Sequence, residues 1–199
     1  MLQRPARPRA TVRRSGSFRQ VKVVVTGPFD AGKTTLIKTI SEIAVLSTER
    51  RVSDHTAALK SDTTVAMDFG RLTVDRDLVI HLFGTPGQQR FDFMWEILSE
   101  GMLGFIVLVD PHREDSLAEA ASILDFFRQT ARVPYVVGVN KSDDDPGGGV
   151  AQVTERLDLP SSVRAVACNA LDRGSIKDLL LELLYAVLDE VDAHHHAAV

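Results

Sequence analysis

Two short strings in this chain have residue types and spacing that can do chemistry. Gly27-Pro28-Phe29-Asp30-Ala31-Gly32-Lys33-Thr34 has the form G-x-x-x-x-G-K-T and directly follows the β-branched run from Val21 to Thr26. Between a strand and a helix, such a loop holds phosphate. The backbone amides of Asp30, Ala31 and Gly32 and the positive helix end face the anion, and Lys33 neutralises the β and γ groups. The Thr34 hydroxyl ligates Mg²⁺, with Thr35 next in the same turn. The second string, Asn140-Lys141-Ser142-Asp143, ends the apolar run Tyr135 to Val139, at the strand end where open α/β sheets bind ligands. A carboxylate at Asp143 accepts from the N1 and N2 donors of guanine but meets an acceptor at N1 of adenine, so this pairing selects GTP over ATP.

These strings need a rigid sheet to hold them. Short β-branched runs recur at Val21–Thr26, Thr64–Val74, Leu78–Phe83, Leu103–Val109, Tyr135–Asn140 and Val163–Cys168, with helix-like stretches between them. Four of the runs are nearly continuous in apolar residues, as parallel strands covered on both faces are. Thr64–Val74 and Leu78–Phe83 are separated only by Asp75-Arg76-Asp77, too short for a crossover helix, so they pair antiparallel at one edge. The expected architecture is α/β: a six-stranded mixed sheet, five strands parallel and one antiparallel at the edge, flanked by about five helices. The helices are expected at 32–46, 91–100, 116–131, 150–157 and 175–191, two of them opened by the capping boxes Ser116-x-x-Glu119 and Ser175-x-x-Asp178.

Composition narrows the class. The 199 residues suffice for one core, and 23 basic against 27 acidic groups exclude a whole-protein nucleic-acid footprint. The charge is uneven: residues 1–20 hold six Arg and no acid, leaving 17 basic against 27 acidic groups in the other 179. Residues 1–19 therefore read as a disordered basic arm, 20–191 as the folded domain and 192–199 as a flexible end. The arm offers an electrostatic handle for an anionic membrane face or an acidic partner. The single cysteine, Cys168, has no disulfide partner in the chain, and the longest uncharged apolar stretch, 101–109, is too short to span a bilayer. The expected location is cytoplasmic, peripheral to the inner membrane face where the arm engages it.

Gly27–Thr34 followed by Asn140–Asp143 resembles the Ras-like small GTPase superfamily across residues 20–190. Thr63-Thr64-Val65-Ala66-Met67-Asp68-Phe69-Gly70 and Leu82-Phe83-Gly84-Thr85-Pro86-Gly87-Gln88 resemble its bacterial branch found beside Roadblock-type partners: the actinobacterial conservon GTPases and, more distantly, the MglA-type polarity GTPases. The resemblance implies a guanine-nucleotide switch that binds GTP and GDP with Mg²⁺ and a Roadblock-type regulatory partner. Thr64, with Thr63 beside it, matches the switch I threonine, Gly87 the switch II glycine that donates to the γ-phosphate, and Gln88 the glutamine that orients water. Cys168-Asn169-Ala170 falls where a loop amide meets guanine O6. Arg50, Arg51, Arg71 and Arg90 are the candidates for an arginine supplied in cis.

Two departures from that pattern matter. Gly84 stands where the superfamily has the switch II aspartate, and Asp68, four residues after Thr64 on the neighbouring strand, is the expected replacement near Mg²⁺. Phe29 stands in the phosphate loop where fast hydrolysers carry a small residue, which implies slow turnover, or a catalytically idle scaffold whose nucleotide only holds a partner-binding shape. The apolar stretch after Gln88, with the lone Trp95, implies a nucleotide-gated partner surface.

Overall fold

The computed structural model describes residues 19–47, 50–52, 63–65, 67–75, 77–87 and 92–197. A mixed sheet runs through it in the order β2-β5-β6-β1-β7-β8-β9. Its strands are β1 (Arg19–Thr26), β2 (Leu46–Ser47), β5 (Asp68–Asp75), β6 (Leu78–Gly84), β7 (Gly104–Val109), β8 (Tyr135–Asn140) and β9 (Ala165–Cys168). Strands β3 (Arg50–Val52) and β4 (Thr63–Val65) form a separate two-stranded ladder. The helices are α1 (Lys33–Ile40), α2 (Asp92–Ser99), α3 (Glu114–Thr130), α4 (Pro146–Arg156) and α5 (Arg173–Ala197).

The strands β6, β1, β7, β8 and β9 run parallel and β5 pairs antiparallel with β6, as expected. The sheet has seven strands rather than six. β5 is not the edge, because β2 pairs antiparallel outside it, Leu46 opposite Phe69 and Ser47 opposite Asp68. The sequence reading ran the first helix through to Leu46, but α1 ends at Ile40. There Ser41 Oγ donates to the Ile43 carbonyl at 2.8 Å and accepts from the Arg71 amide at 3.2 Å, turning the chain out of the helix and onto β5. The expected strand 64–74 is likewise two strands, β4 and β5.

Neither expected capping box forms: an aspartate caps α5, and α3 starts without a side-chain cap. Asp172 caps α5, accepting from the amides of Gly174 and Ser175 at 3.1 Å each, and the Ser175 hydroxyl accepts from the Asn169 amide at 2.9 Å instead. The third helix starts at Glu114, and the Ser116 hydroxyl is buried without a hydrogen-bond partner. Asp145 accepts from the Gly148 amide at 2.9 Å and starts α4 at Pro146, four residues before the expected start, its cap and the proline at the first helical position offsetting the low helix propensity of Gly147, Gly148 and Gly149. The fifth helix continues to Ala197, past the expected stop at Val191.

Alternate residues of β1 point into two cores. Val23 and Val25 pack with Leu36, Ile37 and Ile40 of α1 and with Ile176, Leu179 and Leu183 of α5. Val24 packs on the other face with Trp95, Phe105, Leu124 and Phe127. Full burial of these side chains, at about 1.5–3 kcal/mol each, fixes the register that brings the carboxyl ends of β1, β7, β8 and β9 together. Among the described residues, no helix is long and apolar enough to cross a membrane.

Candidate functional site

The phosphate loop leaves β1 at Thr26 and enters α1 at Lys33. Gly32 caps the helix with φ +102, a backbone shape that costs other residues free energy, and Asp30 adopts φ +61 despite its side chain. Lys141 holds that strained residue: its ammonium donates to the Asp30 carbonyl at 2.9 Å and meets the Asp30 carboxylate at 3.3 Å. Lys141, itself at φ +62, is anchored from below by the buried carboxylate of Asp110 at 3.0 Å. Burial opposes its charge, but Asp110 and Asp30 outweigh burial and hold its pKa above the ordinary lysine value.

Lys33 is buried, and its Nζ donates to the carbonyls of Gly27 and Pro28 at 2.7 and 2.6 Å. Burial pushes its pKa down to about 8 against the pull of Glu119, Asp68 and Asp30. An anion in the loop favours its charged form. Gly87 lies over the same spot. A Cβ there would stand 2.7 Å from the Phe29 nitrogen and 2.8 Å from Lys33 Nζ, so only glycine lets the segment after β6 approach the loop this closely.

Asn140 joins the two sequence motifs. Its Nδ2 donates to the Ala31 carbonyl at 2.9 Å and its Oδ1 accepts from the Ala170 amide at 3.0 Å, so one buried amide ties the phosphate loop to the loop after β9. Asp143 is oriented by Asn169, whose Nδ2 donates to Asp143 Oδ1 at 3.0 Å. Both residues, with Ser142, Pro146, Ala167 and Cys168, line a cavity of about 290 Å³. Cys168 is buried, and desolvation, with the Asp143 charge second, pushes its thiol up to about 12. The amides of Asn169 and Ala170, the expected partners for a base oxygen, bond within the chain to Ser175 and Asn140.

At the other end, Thr34 Oγ1 donates to Asp68 Oδ2 at 2.5 Å and Ser47 Oγ to Asp68 Oδ1 at 2.5 Å. Asp68 is buried and lies directly opposite Gly84 across the β5–β6 ladder. A Cβ on Gly84 would fall 3.2 Å from Asp68 Cβ, so the carboxylate fills the space that a residue at 84 would use. Thr34 and Asp68 offer hard oxygen donors, the chemistry that suits Mg²⁺ beside phosphate. Among the described residues, no group of three or more His, Cys, Asp or Glu gathers at metal-binding distance, so an ion here would also need the oxygens of the nucleotide.

Thr64 sits in the β3–β4 ladder opposite Arg51, and Thr35 is half-buried in the first turn of α1. Arg50 and Arg51 lie on β3, and Arg71 is exposed on β5. Gln88, Arg90 and the arm before Arg19 lie outside the described residues. Trp95 corrects the expected partner surface: it is buried, packed on Phe126 and Phe127, and its Nε1 donates to the Pro86 carbonyl at 3.3 Å. Among the described side chains of that helix, Ile97 is the exposed large apolar one.

Sequence reasoning passed over Asp110, Ser47 and Arg113, whose guanidinium reaches the Phe29 carbonyl at 3.4 Å. Asp110 had a legible signal, as the first charged residue after Phe105–Val109 and therefore at the ligand-facing end of a strand.

The family described as conserved hypothetical ATP binding protein matches residues 25–190, a span that contains both the phosphate loop and the Asn140–Asp143 string. The uncharacterized protein MJ1339 of Methanocaldococcus jannaschii is 35% identical over 124 residues, covering 62% of this chain and 71% of its own. With a phosphate loop, a seven-stranded mostly parallel sheet and five helices, the chain belongs to this conserved family of nucleotide-binding P-loop proteins.

Proposed function

We propose that the protein is a Ras-like small GTPase, a guanine-nucleotide-dependent signalling switch that hydrolyses GTP slowly. The observation that carries this reading is Asp143, held by Asn169 in the lining of the cavity after β8, with Asn140 tying that end of the site to the phosphate loop. Two acceptor oxygens there match the N1 and N2 donors of guanine and oppose N1 of adenine. On this reading the family description's ATP gives way to GTP in this chain.

Loop amides and Lys33 bind and orient the phosphates, and Gly87 brings its amide to the γ-phosphate. Gln88 orients the attacking water, and Thr34, Thr64 and Asp68 hold the metal side. Mg²⁺, when bound, neutralises charge between the β and γ phosphates. The Pro86 carbonyl, bonded to Trp95, couples the segment carrying Gly87 to α2, where Ile97 offers 63% of its surface to a partner. A Roadblock-type regulator is the proposed partner, and the arginines of residues 1–19 are proposed to meet an anionic membrane face or an acidic partner. Phe29, 61% exposed in the phosphate loop, favours a second reading in which the nucleotide is held without turnover.

Competition of GTP and ATP for the purified protein tests the base assignment; equal affinities would sink it. Single-turnover hydrolysis separates switch from scaffold. Trp95 emission should change when GDP is exchanged for a non-hydrolysable GTP analogue.

A further inference from the structure

Helix α5 has two apolar faces. Ile176, Leu179, Leu180 and Leu183 are buried against the sheet. On the opposite side, Leu181, Tyr185, Leu188 and Val191 are 43, 51, 57 and 45% exposed, at the three- and four-residue spacing of a single helix stripe. Val74 of β5, 44% exposed, extends the patch, and a groove of about 240 Å³ runs between Val74 and the helix, walled by Leu181 and Leu184. A contiguous apolar surface of this kind marks an interaction site.

The middle of the stripe is symmetric, and the symmetry points to its occupant. About the midpoint between Leu184 and Tyr185, Leu181 and Leu188 stand at equal distances on either side, and Lys177 and Asp192 stand at equal distances further out with opposite charge. Turned end for end against a copy of itself, the helix sets Leu181 on Leu188 and Lys177 opposite Asp192 in both halves, and opposes the two helix dipoles favourably. A parallel pairing would instead set lysine against lysine and aspartate against aspartate.

We propose that this face is the interface of a homodimer in which two α5 helices pack antiparallel. The groove beside Val74 then receives an apolar side chain from the C-terminal half of the second copy's stripe. Along the acidic flank of α5, Arg164, already paired with Glu182 at 2.5 Å, supplies the cation that keeps the two flanks from repelling. The C-terminal half of α5 borders the amino-terminal ends of β7 and β8, the end of the sheet opposite the phosphate loop. The dimer therefore does not rest on the nucleotide reading.

Sedimentation equilibrium on the full chain is the test, with a limiting mass of twice 21.8 kDa expected, with or without nucleotide. Leu188→Glu, an exposed substitution that enters a symmetric interface twice, should weaken dimerisation on the order of a hundredfold. Circular dichroism should show the fold unchanged. Lys177→Glu should weaken it less, and Lys177→Glu with Asp192→Lys should restore it. A wild-type chain that stays monomeric, or a dimer indifferent to Leu188→Glu, overturns the interface. A charge exchange that fails to restore what Lys177→Glu removed overturns the antiparallel arrangement.

Discussion

The two ends of the nucleotide site are built differently. The base end is made of neighbours in sequence, Asn140 to Asp143 and Cys168 to Ala170, on the carboxyl ends of adjacent parallel strands, and its polar groups are stapled to one another. The end proposed to hold metal draws Thr34 from α1, Ser47 from β2 and Asp68 from β5, with Gly84 of β6 leaving the room. A contiguous end can be read as a motif and is rigid before ligand arrives. An assembled end depends on strand register and is free to move its carboxylate from one strand to the next.

The largest effect should come from Lys33, which stands between the two ends. Lys33→Ala removes the buried ammonium beside the loop carbonyls, and nucleotide affinity should fall roughly 10⁴-fold, the upper range for deleting one member of a desolvated charge pair. Calorimetric titration with GTP and GDP measures it. Retained affinity would remove the phosphate-loop assignment and with it the comparison of ends.

The closed character of the base end is next. With its thiol pushed up to about 12 from 9.0, Cys168 should alkylate about a thousandfold more slowly than an unburied cysteine near pH 8 and at the ordinary rate once the chain unfolds. The folded state binds this proton more tightly than the unfolded chain does. Cys168 thus adds stability below pH 9 that is lost as pH rises towards 12. Rapid labelling of native protein would mean that the base end breathes open.

Asp143→Asn should cost about a hundredfold of the preference for GTP over ATP while leaving phosphate binding in place. Competition assays with the diphosphates and triphosphates of both bases separate those two effects. An undiminished preference would move base recognition away from Asp143.

Much of this was legible because each base-end motif is local and the strands that carry it are continuous apolar runs. Five parallel strands, the antiparallel β5–β6 pair, Asn140 and Asp143 follow from patterns within a few residues of one another. What escaped depends on distance. The two-residue β2 has too little sequence to show a period, and its pairing comes from the Ser41 turn rather than from its own propensity. Trp95 reads as surplus apolar surface until α3 brings Phe126 and Phe127 against it. Asp110 is marked by its place at a strand end, but its role as the buried counter-charge of Lys141 shows only once β7 and β8 stand side by side.

The smallest expected change tests the metal end. Asp68 accepts from Thr34 and Ser47, so Asp68→Ala should raise the Mg²⁺ concentration needed to slow nucleotide release by about tenfold, the lower range for losing a group that supports a metal site. Loss of those two hydrogen bonds also destabilises the fold, by about 1–2 kcal/mol, so a melting curve must accompany the titration. The discriminating variant carries the carboxylate across the ladder. Asp68 and Gly84 are direct cross-strand partners, and Gly84→Asp alone crowds Asp68 Cβ at 3.2 Å and Ile37 Cδ1 at 2.8 Å. Combined with Asp68→Gly, the first of those contacts disappears and the flexible end of Ile37 can turn aside. The exchanged pair should therefore recover Mg²⁺ dependence that Asp68→Ala has lost. If Asp68→Ala leaves that dependence at the wild-type value, Asp68 is a clip between β2, α1 and β5, and the metal end needs no carboxylate from either strand.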